Sequence, residues 1–278
     1  MPLHEKGLNG QGVTIIILDS FVDSNFGPIS IKGQTQNIPS GDFIMVTEDM
    51  NEDKAHGIYC ATIAAGAPHG DFRGGVAPAA SLVCYRVSPD GKDVYEQGIV
   101  NALDHMLNQD VGAGYIILMS FGFEKLHNDI TERIDELTER KVVCVAAAGN
   151  DGPPKLVNFP ASLGNVISVG SCNSIGQPSG FNNIGNIDVL APGENLIFDQ
   201  LKGTSFAAPA IAGIIALLMQ QAKNIGDPKI FANICDVNVI RNIFTYDLKA
   251  RGVVGLLAPH ELLEDGPEKL KRVIEKYT

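Results

Sequence analysis

Apolar residues along this chain fall into short unbroken runs, separated by segments in which they recur every three or four positions. The first run, Val13–Leu18 (VTIIIL), ends at Asp19. Ser81–Val87 (SLVCYRV), Tyr115–Ser120 (YIILMS), Val142–Ala148 (VVCVAAA), Val166–Gly170 (VISVG) and Ile187–Leu190 follow it. Short apolar runs bounded by turn residues read as strands buried on both faces. Between them, residues 56–66 (HGIYCATIAAG) have helical spacing and stop at Gly66, with Pro68 behind it. Tyr95–Gln109 and Asp129–Arg140 are helical by pattern, and a long helix of small and apolar residues follows Ser205. Residues 23–55, punctuated by Gly27-Pro28, Pro39 and Gly41, are expected to be rich in loop. Strands alternating with helices, each strand an apolar run, imply an α/β fold of three layers, α/β/α, around a mainly parallel central sheet. Such sheets gather ligands at the carboxyl ends of their strands. Asp19, Ser120 and Asn150 stand at or just past three of those ends.

Composition narrows the function classes. The chain has 278 residues, 45% of them hydrophobic and 19% charged, enough to bury a large core. With no internal repeat and no Pro/Ser-rich linker, a single domain over residues 1–278 is the simpler organisation. A net charge of -11 argues against nucleic acid, since the small basic cluster Lys269–Arg272 is flanked by glutamates. The uncharged apolar stretch Ala207–Met219 is 13 residues long, short of the ~18 that a membrane span needs. Neither nucleic acid nor membrane is expected as a partner. Five cysteines, Cys60, Cys84, Cys144, Cys172 and Cys235, form no CxxC pair and no even set, so neither a disulfide framework nor a metal site is indicated. The N-terminal MPLHEKGLNGQG lacks the basic start and apolar centre of a secretory signal. Together with the odd cysteine count, this favours a cytoplasmic location over a secreted one.

Ser205, boxed between Gly203-Thr204 and an apolar helix, can cap free backbone N–H groups or serve as a nucleophile. A nucleophilic serine needs a base, a group that orients the base, and donors for the oxyanion. His56 opens the first long helix, Asp19 ends the first strand and Asn150 ends the AAAGN strand, each a residue type suited to one of those roles. Taken singly, all three are as readily turn or cap residues, so spacing alone leaves both readings open.

The stretch GTSFAAPAIAG (203–213) resembles the serine box of the subtilase, or subtilisin-like, serine peptidases. VTIIILDSFVD (13–23) is similar to that family's aspartate box, AHGIYCATIAAG (55–66) to its histidine box and VVCVAAAGNDG (142–152) to the strand carrying its oxyanion asparagine. The order Asp19, His56, Ser205 is the subtilisin order. The resemblance covers about residues 7–222, with GVVGLLAPHELL (252–263) similar to the family's terminal segment, and residues 223–278 are expected to be a helical and strand extension of the same domain. It implies a subtilisin-like fold and a serine endopeptidase with nucleophile Ser205, base His56, orienting Asp19, and oxyanion donors Asn150 and the Ser205 backbone N–H. It further implies a substrate chain lying as an added strand, with pocket walls at Ser120-Phe121-Gly122 and Ala147-Ala148-Gly149 and Asn158 at the floor. Polypeptides in extended conformation are the implied substrates, and a propeptide or protein inhibitor an implied partner. Pro209 is expected to fall early enough in its helix for the missing N–H to cost little.

The chain also departs from the family pattern. Phe21 stands where the aspartate box usually has glycine, Ile58 and Tyr59 where the histidine box usually reads Thr-His, and Thr62 where a glycine follows. If this bulk closes the site, the chain is instead a catalytically silent relative that grips peptides as a binding or regulatory module. Cys60, four residues after His56, shares a helix face with it and reads as a packed core thiol rather than a redox brake. Many family members bind calcium where this chain has APHGDFRGG (67–75), but Asp71 is the lone hard anionic ligand there, so no cofactor and no calcium site are expected. His4, His69, His105, His127 and His260 lack paired spacing and read as surface residues. An α/β-hydrolase using Ser205, then Asp236 or Asp247, then His260, fails for want of the final glycine of GxSxG and leaves Asp19, His56 and Asn150 without roles. A dinucleotide site fails because no GxGxxG follows VTIIIL.

Overall fold

A computed structural model describes residues 2–20, 36–39, 56–68, 72–88, 93–194, 201–247, 262–264 and 266–278. Seven strands, β1 (Thr14–Asp19), β2 (Gln36–Pro39), β3 (Ser81–Arg86), β4 (Tyr115–Met119), β5 (Val143–Ala147), β6 (Val166–Cys172) and β7 (Val189–Pro192), form one sheet in the order β2-β3-β1-β4-β5-β6-β7. Every pairing is parallel. The helices are α1 (Pro2–Glu5), α2 (His56–Ala65), α3 (Glu96–Leu107), α4 (Asn128–Glu139), α5 (Thr204–Ile225), α6 (Pro228–Ile234), α7 (Val237–Asn242), continued by a π-helical turn at Ile243–Asp247, and α8 (Pro267–Lys276).

The unbroken apolar strands have a direct cause. In β1, Ile15 and Ile17 enter a core shared with α2, α5 and α8, while Ile16 and Leu18 enter a second core shared with α3 and α4. Strand β4 divides the same way, Ile116 and Leu118 to one side and Ile117 and Met119 to the other. Alternate side chains point to opposite faces, so a sheet covered twice needs apolar residues at every position. Each such side chain, fully buried, contributes about 1.5–3 kcal/mol.

Strand order fixes where a ligand can lie. From β1 the chain goes out to β2 at one edge, comes back to β3 between the two, then crosses to β4 on the other side of β1 and continues to β7. The crevice beyond the carboxyl end of β1 is therefore a topological switch point, where open α/β sheets bind ligands. Asp19 is the last residue of β1.

Three expectations change. The stretch 23–55 contains the four-residue strand β2, which pairs with β3 and ends in Pro39; an edge strand tolerates proline because one side of it has no ladder to feed. The strand expected at Ile187–Leu190 runs instead over Val189–Pro192, because the Asp188 carboxylate accepts the Ser168 N–H (2.9 Å) and pairs with Arg241 (2.8 Å) before the ladder begins. The apolar stretch after Ser205 belongs to a 22-residue helix, long and apolar enough to cross a membrane, yet 94% of its most apolar window is buried inside the protein. Helix α5 is thus a core helix.

At its far end α5 anchors the N-terminal segment. The buried Gln220 accepts from the Asn9 and Gly10 N–H groups, both at 2.8 Å, and donates to the Gly7 carbonyl at 2.9 Å. Leu270 and Ile274 of α8 join the same core as α5, as do Leu262 and Leu263; the rest of 252–263 lies outside the described residues.

Candidate active site

The end of β1 and the start of α2 are tied together twice. His56 Nδ1 donates to Asp19 Oδ1 at 2.8 Å, and the Gly57 N–H donates to Ser20 Oγ at 2.9 Å. Asp19 is 4% exposed, and its Oδ1 also accepts the Ser20 N–H at 2.7 Å, whereas Oδ2 is buried with no hydrogen-bond partner among the described residues. Burial alone would push the imidazole pKa down, but the adjacent Asp19 carboxylate, with Cys60, outweighs it and holds His56 well above 6.5. The pairing also sets the tautomer, leaving Nε2 as the acceptor nitrogen while the ring is neutral.

The end of β5 and the start of α5 meet in the same way. Asn150 Oδ1 accepts from the Thr204 N–H at 2.8 Å and from Thr204 Oγ1 at 3.0 Å, while Thr204 Oγ1 itself accepts the Gly149 N–H at 3.1 Å. With its carbonyl oxygen committed, Asn150 turns its Nδ2 away, and that nitrogen has no partner among the described residues. Gly203, which precedes α5, shows where it goes: a Cβ added there would lie 3.1 Å from Ser205 Oγ and 3.2 Å from Asn150 Nδ2. Its φ of +153° also disfavours any other residue. Serine hydroxyl and asparagine amide therefore flank one small space beside the first turn of α5, where the helix dipole favours negative charge.

Two clefts adjoin here, sharing Ser120 and Phe121. One is lined by Asp19, Ser20, His56, Ser88 and Val94, and the other, of about 370 Å³, by Gly122, Ala147, Gly149, Asn158, Asn150, Thr204 and Ser205, with Glu124 and Asp151 also on its wall. Of the expected wall residues Ala148 is the exception. It is fully buried, its N–H bonded to the Val169 carbonyl and its carbonyl to the Asn158 N–H, so it braces the cleft without lining it.

Ser205 and His56 approach through shared neighbours. The Phe206 ring lies 5.1 Å from the imidazole, and Cys60 Sγ lies 3.8 Å from His56 Nδ1 and 3.5 Å from the Ser205 carbonyl oxygen. Ser205 Oγ makes no hydrogen bond among the described residues. The contact to Cys60 corrects the expectation for Pro209, which sits well inside α5 at its sixth residue. The N–H that proline lacks would have met the Ser205 carbonyl, and the Cys60 thiol meets it instead.

The bulky departures find other homes. Ile58 is buried in the body of α2, and the Tyr59 ring packs edge-on against Phe206 at 6.5 Å; neither is among the residues lining the two clefts described above. Phe21 lies outside the described residues, as do His69 and Asp71 of the calcium-loop region and His260. Asp236 caps α7 and bonds Lys141, and Asp247 accepts from the Tyr277 hydroxyl, so both carboxylates have structural partners. His4, His105 and His127 are half-buried rather than exposed, bonded to the Val76 carbonyl, the Tyr85 hydroxyl and Glu96.

Several contributors escaped the motif reading: Ser20, Thr204, Phe206 and Asn183. The buried Asn183 donates to the Leu156 carbonyl (2.9 Å) and Asn158 Oδ1 (3.2 Å) and accepts from the Asp151 N–H (2.8 Å). A Cβ at Gly149 would lie 2.3 Å from its Nδ2, so glycine is required there.

Known proteins resemble this chain in sequence and in fold. The sequence model of the Subtilase family matches residues 10–238. The chain is 31% identical over 281 residues to the major intracellular serine protease of Bacillus subtilis (strain 168), covering 93% of this chain and 86% of that protein. It is 28% identical over 230 residues to subtilisin NAT of Bacillus subtilis subsp. natto, covering 79% of this chain but 58% of that protein. Among solved structures, a point mutant of the protease domain of PatA superposes with a TM-score of 0.74 at 23% identity, covering 97% of this chain and 98% of that one, which speaks to the fold. The prenylagaramide maturation protease PagA superposes at 0.72 with 25% identity over the full length of both chains.

Proposed function

This chain belongs to the Subtilase family, and from that premise we propose that it is a serine endopeptidase that cleaves polypeptides bound in extended conformation through an acyl-enzyme. The observation that carries the reading is the buried Asp19 carboxylate held 2.8 Å from His56 Nδ1, beside the cleft that Ser205 and Asn150 line.

In this mechanism the substrate lies along Ser120–Gly122 and places its scissile carbonyl beside Gly203. Ser205 Oγ attacks the carbonyl carbon while His56 Nε2 takes the hydroxyl proton, and the Asp19 carboxylate stabilises the imidazolium without itself becoming protonated. The developing oxyanion accepts from Asn150 Nδ2 and the Ser205 N–H. His56 then gives its proton to the leaving amine, and water repeats the sequence to release the acyl group. Ser205 Oγ and the imidazole close to hydrogen-bonding distance in the Michaelis complex, as catalytic hydrogen bonds often tighten only when substrate arrives. A propeptide or protein inhibitor would occupy the same cleft as a substrate strand.

Labelling with a fluorophosphonate tests the reading, because the probe reacts with a serine only where a base activates it. The wild-type protein is expected to label, and Ser205→Ala and His56→Ala are each expected to abolish the label. Absence of labelling on a protein shown to be folded would favour a silent, peptide-gripping relative.

A further inference from the structure

Among the described residues one group of metal-ligating side chains lies close enough together to share an ion: Asp19, His56 and Cys60, whose ligand atoms all fall within 4.8 Å of one another. We propose that a borderline-soft divalent cation, zinc in chemical class, binds across these three residues and reversibly shuts off the histidine base. The inhibitory half of this proposal rests on the catalytic role assigned to His56, whereas the binding half does not.

The donor set is one thiol, one imidazole nitrogen and one carboxylate, a composition that suits zinc with a fourth position left to water. The spacing suits it as well. With Zn–S of about 2.3 Å and Zn–N of about 2.0–2.1 Å, a tetrahedral centre needs an S···N edge of about 3.6 Å, and Cys60 Sγ stands 3.8 Å from His56 Nδ1. The Nδ1···Oδ1 separation, 2.8 Å with a proton between the two atoms, has to open to about 3.3 Å for an ion in the proton's place. A second observation points to a ligand. Asp19 is 4% exposed, and its Oδ2 is buried with no hydrogen bond among the described residues, a second open acceptor on the same carboxylate whose Oδ1 faces His56 Nδ1.

The exchange balances. The Cys60 thiol releases its proton to solvent and the thiolate sulfur binds the cation, while the imidazole remains neutral and its single proton moves from Nδ1 to Nε2. Thiolate and carboxylate together cancel the charge of the ion, so the buried cluster is neutral overall. The relocated proton is what silences the site: an Nε2 that carries hydrogen cannot accept one from Ser205. Entry is past the imidazole, whose side chain is 28% exposed, since Cys60 beneath it is fully buried.

The test uses the whole chain, stripped with a chelator and titrated with Co²⁺ as a spectroscopic stand-in. A thiolate-to-cobalt charge-transfer band that saturates at one ion per chain is expected, retained in Cys235→Ser and absent from Cys60→Ser and Cys60→Ala, each checked for fold by circular dichroism. With Zn²⁺, the rate of fluorophosphonate labelling should fall by about 10² or more, the worth of a general base, and recover on adding chelator. In Cys60→Ser the rate with zinc should equal the same variant's rate without it. The proposal is overturned by the absence of a thiolate band in the wild type, by a band that survives loss of Cys60, or by zinc slowing wild type and Cys60→Ser alike. A Cys60-dependent band on a protein that never labels, even free of metal, would remove the catalytic reading and leave the metal site standing.

Discussion

Replacing Thr204 by valine keeps the side-chain shape and deletes one oxygen that serves two partners. Thr204 Oγ1 accepts the buried Gly149 N–H at 3.1 Å and donates to Asn150 Oδ1 at 3.0 Å. Stranding the Gly149 donor costs about 1–3 kcal/mol, and about 2 kcal/mol in a chain of this size lowers Tm by about 4–8 °C. Activity should respond separately. The Asn150 amide keeps its bond from the Thr204 N–H (2.8 Å) and loses one neutral hydrogen bond, about 1 kcal/mol of orientation, so kcat should fall about fivefold. KM should stay unchanged, because the amide meets its target in the transition state. Steady-state kinetics on a peptide substrate and a thermal melt read the two effects. Thr204→Ser, which keeps the hydroxyl, should restore both. In an Asn150→Ala background, Thr204→Val should still lower Tm but leave kcat unaltered, since there is no amide left to aim. A full kcat loss in that background, or an unchanged kcat in the single variant, would refute the claim that Thr204 acts through Asn150.

Asn150→Ala should lower kcat by about 10²–10³ with little change in KM, the magnitude known for the oxyanion asparagine of subtilisin; a KM effect alone would reassign the residue to substrate binding. Gly203→Ala, which sets a methyl group 3.1 Å from Ser205 Oγ and 3.2 Å from Asn150 Nδ2, should cut kcat at least as strongly as Asn150→Ala, and wild-type kinetics in that variant would show that the space is not used. Because the Asp19 carboxylate and Cys60 outweigh burial and hold the His56 pKa above 6.5, the neutral base predominates only above that raised value, and kcat/KM, measured with chelator present, should climb with pH through a midpoint above 6.5. The same shift makes His56 contribute stability that is fully present below pH 6.5 and lost as pH rises through the folded pKa. A kinetic midpoint at or below 6.5 would contradict the pairing. Asp19→Asn should drop kcat by about 10⁴ with the fold intact, and a loss no larger than tenfold would deny the carboxylate its orienting role.

Local chemistry was what the sequence could carry. Strands such as VTIIIL announce themselves because both faces are covered, and the four motif residues sit at strand and helix ends that hydrophobic pattern alone marks out. Strand β2 (QNIP) escaped notice because four edge residues, one of them proline, hold no apolar run and depend on β3 for their definition. The positioning contacts were illegible for a different reason. Thr204 acts on Asn150 across 54 positions, and Asn183 acts on Asn158 across 25; bonds of that span exist only once the sheet has assembled. Pro209 shows how a correct motif can mislead in detail, since its lost hydrogen bond is made good by Cys60, 145 positions from the carbonyl it serves.

Helix α5 has a further consequence for how the molecule comes apart. One end presents Ser205, the far end grips residues 7–10 through Gln220, and the body is shared by α2, the sheet and α8. No peripheral segment can then detach Ser205 from its surroundings while the remainder stays folded. Amide protons along the middle of α5 should exchange with solvent only through global unfolding, and loss of the active serine on heating should coincide with loss of the whole tertiary structure rather than precede it. Ser205, in effect, shares the fate of the helix that carries it.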